Sequence, residues 1–154
     1  MIQEDIPPCL IFIDKEGRWF HEGLEMVRRE IVELFYQHLE MDSRGRYIIH
    51  LAGQKCYVDV EDTAFVVWRV TLENKEQGHE RFLAGLSDHT EETLNLDTLY
   101  VGKENVLYCR VKDGRFQARF RRAAYYQLAE HIGEDRGEYF ISLHERKHVI
   151  RHLD

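Results

Sequence analysis

In this 154-residue chain, a histidine near paired carboxylates is the arrangement with the plainest chemical use. Trp19-Phe20-His21-Glu22 closes one extended run, and Glu61-Asp62 stands at the mouth of another. If the two turns lie together they form an aromatic-walled acidic pocket. There His21 can act as a general base, and two neighbouring carboxylates push one pKa upward. The plainer reading makes Trp19 and Phe20 core, Asp62 a turn cap, and His21 the maker of a structural hydrogen bond.

Two arginine pairs are the next unusual feature. Arg28-Arg29 and Arg121-Arg122 each stand at the start of a helical pattern, where cations oppose the macrodipole and need compensation. Glu25 and Glu33 lie at i−4 and i+4 from Arg29, which predicts surface ion pairs there. Arg121 and Arg122 lack such neighbours and, with Arg115 and Arg119, form a basic cluster fit for an anionic ligand, a phosphate or an acidic partner surface.

Nine histidines raise the question of a metal. His144 and His148 flank a hairpin tip. His148 and His152 share a strand face about 13 Å apart, too far for one ion. With no Cys-x-x-Cys, no His-Glu-x-x-His and no third ligand, solvated hairpin histidines are expected, and neither metal nor cofactor. Cys9, Cys56 and Cys109 are odd in number and set far apart in apolar runs, so reduced, buried thiols are expected. No Gly-rich phosphate loop, dinucleotide fingerprint or nucleophile elbow is present, which leaves the common nucleotide-binding and hydrolase classes without support.

The elements that must position these groups follow from periodicity. Residues 10–14 and 18–21 flank Gly17 as a hairpin, and 47–51 with 55–60 flank Ala52-Gly53 as another. Val27, Ile31, Leu34, Phe35 and Leu39 fall at 3.6-residue spacing and predict an amphipathic helix over 27–40. Residues 64–73 alternate as a long strand that carries Arg69 on its half-polar face. Residues 74–104 read as a connector with short strands at 81–86 and 96–101. Beyond it, 106–111 and 115–120 flank Asp113-Gly114, the strongest hairpin signal in the chain. A second helix at 123–132 and a hairpin over 138–143 and 148–153 follow.

The two halves echo each other. Lys15-Glu16-Gly17-Arg18-Trp19 matches Lys112-Asp113-Gly114-Arg115-Phe116, and the arginine pairs match. His38-Leu39 matches His131-Ile132, and Arg44-Gly45-Arg46-Tyr47 matches Arg136-Gly137-Glu138-Tyr139. Four correspondences in one order point to duplication. The expected fold is therefore α+β: two repeated hairpin–helix–hairpin units packed together, with mainly antiparallel sheets and two principal helices. The units are residues 1–80 and 105–154, joined by 81–104. One unit of that size buries too little surface to be stable alone.

Leu10-Ile11-Phe12-Ile13-Asp14-Lys15-Glu16-Gly17-Arg18-Trp19-Phe20-His21-Glu22-Gly23, together with Val58-Asp59-Val60-Glu61-Asp62-Thr63-Ala64-Phe65-Val66, resembles the bacterial family called domain of unknown function 1285. The likeness continues through Ala123-Ala124-Tyr125-Tyr126-Gln127-Leu128 and covers most of the chain. It implies two α+β parts built from repeated motifs and a role in signal transduction or ligand binding, with no catalytic residues to carry over. Ala64 stands where that family tends to have proline.

Net charge is −7, with ten basic and twenty acidic groups in 1–102 and eleven and eight in 103–154. That balance argues against nucleic acid as the partner. No basic stretch leads an apolar one at the N-terminus and no apolar run approaches the ~18 residues of a span, so neither secretion nor a membrane is expected and the setting is cytoplasmic. The sequence thus points to a non-enzymatic module for a small anionic ligand or a protein partner. Its expected site lies between the repeats, bordered by Trp19, His21, Glu61, Asp62, Arg69, Arg121 and Arg122. Its rivals are a hydrolase-like or metal-assisted enzyme using His21 with Glu61 or Asp62, and a structural adaptor pairing through strand edges.

Overall fold

A computed structural model of the chain describes residues 5–73, 76 and 78–153. It is α+β, with two helices among strands that are mostly antiparallel, and it divides into two compact units, 1–64 and 65–154.

The first unit runs β1 (Pro8–Ile13), β2 (Trp19–His21), β3 (Leu24–Glu25), α1 (Arg29–Gln37), β4 (Leu39–Met41), β5 (Tyr47–Leu51) and β6 (Gln54–Val60). These strands form one sheet in the order β3-β2-β1-β6-β5-β4, antiparallel except where β6 returns beside β1. Two turns share one chemistry. Asp14 Oδ1 accepts from the backbone N–H groups of Glu16 and Arg18 while its Oδ2 accepts from Arg18 Nε, with Gly17 at φ 84°. Asp42 does the same for Arg44 and Arg46, with Gly45 at φ 78°. A carboxylate that satisfies two turn N–H groups, followed by a residue free to adopt positive φ, fixes such a turn locally. The Ala52-Gly53 hairpin likewise has positive φ at both positions, as a two-residue turn of that type requires.

Helix α1 is shorter than its periodicity suggests. Arg28 is extended at φ −81°, ψ 101°, and Leu39 already belongs to β4. The buried face is Val32 and Tyr36, the latter packed on Trp19, whereas Val27 is 82% exposed and Leu34 is exposed. Ile31 and Phe35 are only half-buried. Tyr36 Oη donates to the Ala64 carbonyl at 2.7 Å in the buried interior.

The second unit continues with β7 (Phe65–Glu73), β8 (Arg81–Leu86), β9 (Glu91–Thr93), a 3-10 turn (Leu96–Thr98) and β10 (Tyr100–Val101). After a second 3-10 turn (Lys103–Asn105) come β11 (Leu107–Val111), β12 (Phe116–Phe120), α2 (Arg122–Ala129), β13 (Ile132–Asp135), β14 (Glu138–Leu143), β15 (Arg146–Val149) and β16 (Arg151–His152). Seven strands form one sheet, β16-β10-β11-β12-β7-β8-β9, and β13-β14-β15 form another. The long strand is buried on both faces only at its start, where Phe65, Val66 and Val67 are inaccessible, and it is flanked by β12 and β8 and packed by α2, while Arg69 and Thr71 further along are exposed. Residues 81–86 are an integral strand beside it. The run at 96–101 is a 3-10 turn followed by a two-residue strand rather than one strand. Asn74, Lys75 and Gln77 lie outside the described residues.

The succession hairpin, helix, hairpin recurs at β1-β2-α1-β5-β6 and β11-β12-α2-β14-β15, but the sheets close differently. In the first unit β6 pairs parallel with β1. In the second, β14 and β15 form a separate sheet with β13, and β7 takes the parallel place beside β12.

The cysteines depart from the expectation of three buried thiols. Cys9 and Cys56, both half-buried, face each other on β1 and β6 and form a disulfide, while Cys109 is fully buried and free. Strand pairing brings together two residues 47 apart, which sequence spacing alone cannot show. Burial pushes the Cys109 thiol well above its ordinary range, which removes the reactive thiolate.

Removing the Tyr36 hydroxyl leaves the Ala64 carbonyl without its donor. Tyr36→Phe should therefore lower stability by about 1–2 kcal/mol in a urea titration, with the far-UV spectrum unchanged.

Candidate functional site

A cavity of about 680 Å³ lies wholly within the first unit. Its floor is one face of the sheet. His21 sits opposite Ile11 on β2 and β1, Ile49 opposite Cys56 on β5 and β6, and Leu51 opposite Gln54. Its walls are Ile31 and Phe35 of α1 and the link from Glu25 to Arg28. The half-buried face of the helix is thereby explained. Ile31 and Phe35 face the cavity, while Val32 and Tyr36, one position on, pack on the sheet. Polar groups stand among these apolar walls: His21, Glu25, Arg28 and Lys55.

Arg28 caps α1 with backbone only, since no side chain caps that helix, and its guanidinium pairs with Glu30 at 2.9 Å. Arg29 pairs with Glu33 at 2.6 Å, the i,i+4 pair that its spacing predicts. Both carboxylates answer the cations at the helix start. Its own backbone N–H group, then the hydrogen bond from Arg28, hold the Glu30 carboxylate below its ordinary range.

Of the seven expected site residues, Trp19, His21, Glu61 and Asp62 belong to the first unit and Arg69, Arg121 and Arg122 to the second. His21 borders the cavity. Trp19 is core, 2% exposed and packed on Tyr36 and Phe35; its indole N–H has no acceptor among the described residues. Glu61 accepts from the Lys15 backbone N–H at 2.9 Å and donates its own N–H to the Ile13 carbonyl, so it fastens the first hairpin turn.

The pairing of His21 with Glu61 or Asp62 as acid and base is not assembled. β1 runs between β2, which carries His21, and β6, which leads to the carboxylates, and separates the strands by about 10 Å.

In the second unit, Arg69 lies along the bare backbone of Gly85, where a Cβ would approach Arg69 Cγ to 2.8 Å, and pairs with Glu91 at 3.2 Å. Arg121 donates from Nε to the Trp68 carbonyl at 2.8 Å and stacks over its indole. Arg115 lies over Phe116, and Arg122 opens α2 on an exposed turn. Within that basic cluster, Arg121 and Arg115 thus each make a separate contact of their own.

The hairpin histidines also have partners. His148 Nδ1 lies 2.8 Å from Asp97, which Arg146 also contacts, and His144 Nε2 lies 3.3 Å from Glu80. Among the described residues no group of three or more metal-ligating side chains comes together, and no helix is long and apolar enough to cross a membrane.

The arrangement is similar to two solved structures. A DUF1285 family protein from Silicibacter pomeroyi matches at a TM-score of 0.74 and 17% identity, covering 93% of this chain and 81% of that one. A DUF1285 family protein from Shewanella baltica matches at 0.64 and 19%, covering 79% and 91%. At those identities the likeness is one of fold, and the fold is DUF1285-like. No family model and no curated protein matches the chain.

The hydrogen bond to His148, then Arg146, hold the Asp97 carboxyl below its ordinary value of 3.8. A depressed carboxylate contributes stability above its unfolded pKa and loses it as pH falls through the folded one. Asp97→Asn should therefore flatten the fall in Tm below pH 3.8 and lower Tm slightly at neutral pH, as read from melting curves across that range.

Proposed function

We propose that this protein is a non-enzymatic, cytoplasmic ligand-binding module acting in signal transduction, with the cavity of its first unit as the ligand site. The observation that carries the reading is Ile31 and Phe35: two half-buried apolar side chains at helical spacing that line a cavity, Phe35 with its ring also stacked on Trp19. A volume of about 680 Å³ falls within the roughly 300–1,000 Å³ of small-molecule sites, and apolar walls with a few polar groups are their usual lining. The DUF1285-like fold carries the same reading, by resemblance.

The walls select an apolar body. Arg28 and Lys55 select an anionic end, because their carboxylate partners Glu30 and Glu40 are themselves exposed and give up little on exchange. The uncapped start of α1 favours the same sign of charge. A carboxylate or phosphate on an apolar chain or ring fits both requirements, and the reading keeps the anionic ligand while moving its site into one unit. An adaptor role has one observation behind it, Leu24 at 76% exposed on the edge strand β3. Dimers in size-exclusion chromatography that Leu24→Lys disperses would favour it.

Titration with cis-parinaric acid, followed by its fluorescence, tests the site. Ile31→Trp should fill the cavity and weaken binding about tenfold or more, and Arg28→Gln should weaken the acid by about tenfold while sparing its methyl ester. Absence of binding to the wild-type chain would refute the reading.

A further inference from the structure

We propose that the Cys9–Cys56 disulfide is a redox-cleavable clasp in the cavity wall, opened by a dithiol reductant, so that thiol state controls ligand occupancy; the proposal rests on the cavity being a binding site. Both cysteines line that cavity. They join β1 to β6 where the ladder between those strands fails. Pro8 pairs with Tyr57 and Phe12 with Asp59, so four residue steps on β1 face two on β6. Leu10, inside the slip, has φ 63°, a left-handed conformation that a side-chain-bearing residue adopts only at a cost.

Backbone bonds fasten the strand at both ends, from Tyr57 N–H to the Pro7 carbonyl and from Glu61 N–H to the Ile13 carbonyl. Within the slip, ahead of the pairs Phe12–Asp59 and Ile13–Val60, the disulfide is the cross-strand link to β6. Unlike Cys109, both sulfur-bearing residues are half-buried and within reach of a reductant. Exposed disulfides in irregular backbone are the labile kind, and in a reducing compartment such pairs are transient or sensing.

The exchange balances. One thiolate of the dithiol attacks a protein sulfur, the S–S bond breaks, and the other protein sulfur leaves as a thiolate and takes a proton. The reductant's second thiol then displaces the first protein sulfur, which also takes a proton. Two electrons and two protons reach the protein, and the dithiol becomes a disulfide. In the reduced chain the slipped segment of β1 loses its link to β6 and is held on one side alone, by β2, where Glu22 N–H donates to the Leu10 carbonyl and Ile11 pairs with His21. Cys9 then leaves the cavity floor for part of the time, and affinity falls by the fraction of time that the wall is open.

The test is cis-parinaric acid binding to the full chain, oxidised and after dithiothreitol, with thiols counted by alkylation. If the wall is closed about a fifth of the time when reduced, affinity falls about fivefold, and reoxidation restores it. Cys9→Ala/Cys56→Ala should bind like the reduced chain and ignore dithiothreitol, and Cys109→Ala should respond as the wild type does. Amide exchange at residues 9 and 10 should quicken on reduction while the far-UV spectrum holds.

Equal affinity in both states, with both thiols shown to be released, overturns the clasp and leaves the cavity reading intact. Failure of the probe to bind either state refutes the cavity reading and the clasp with it. Absence of the disulfide from the air-oxidised chain, or loss of the far-UV spectrum on reduction, also overturns the clasp, since the bond would be respectively absent or a structural staple.

Discussion

The parallel pairing of β1 with β6 is the constraint on which the first unit depends. Parallel neighbours cannot be joined by a tight turn, so the chain between them must leave the sheet and return. Here it leaves through β2 and β3, crosses as α1 and comes back through β4 and β5. The helix therefore lies over the sheet by topological necessity. Trp19, Val32 and Tyr36 fill one end of the space beneath it, and the other end, toward Cys9 and Cys56, stays open. The cavity is thus a by-product of a crossover whose apolar filling stops short. The second unit meets the same constraint differently: β7 takes the parallel place beside β12 and α2 packs directly on β7, with Ala124 and Leu128 buried.

Much of this architecture is legible in local sequence. Asp113-Gly114 and Ala52-Gly53 mark their hairpins because positive φ restricts residue choice at each tip. Helix α1 is legible from its apolar spacing, although its ends are not, since Val27 and Leu39 continue the pattern past the point where Arg28 and His38 leave helical geometry. Periodicity reports that a face is apolar and cannot report what covers it, so Ile31 and Phe35 read as core. The twin turns at Asp14 and Asp42 share the local pattern Asp-x-x-Gly-Arg, a spacing repeated within one unit rather than between the two halves.

The candidate site was less legible than the fold, for a physical reason. A binding site is made by contacts between strands distant in sequence, and the β1–β6 register is what places Cys9 beside Cys56. Of the expected site residues only His21 borders the cavity. Arg69 and Arg121 looked available because their partners, Gly85 with Glu91 and the Trp68 carbonyl, come from neighbouring strands or from far along the chain. Unpaired charge in a sequence is weak grounds for a site until the sheet order is known.

The placement of the two tryptophans has a practical consequence. One stands in each unit: Trp19 sealed in an apolar core against Phe35, and Trp68 half-buried under the Arg121 guanidinium with the His89 ring at its edge. An indole in a dry interior emits to the blue of one beside polar groups. The chain therefore carries a separate optical label for each unit, and a change that reaches only one of them can be assigned without adding a dye.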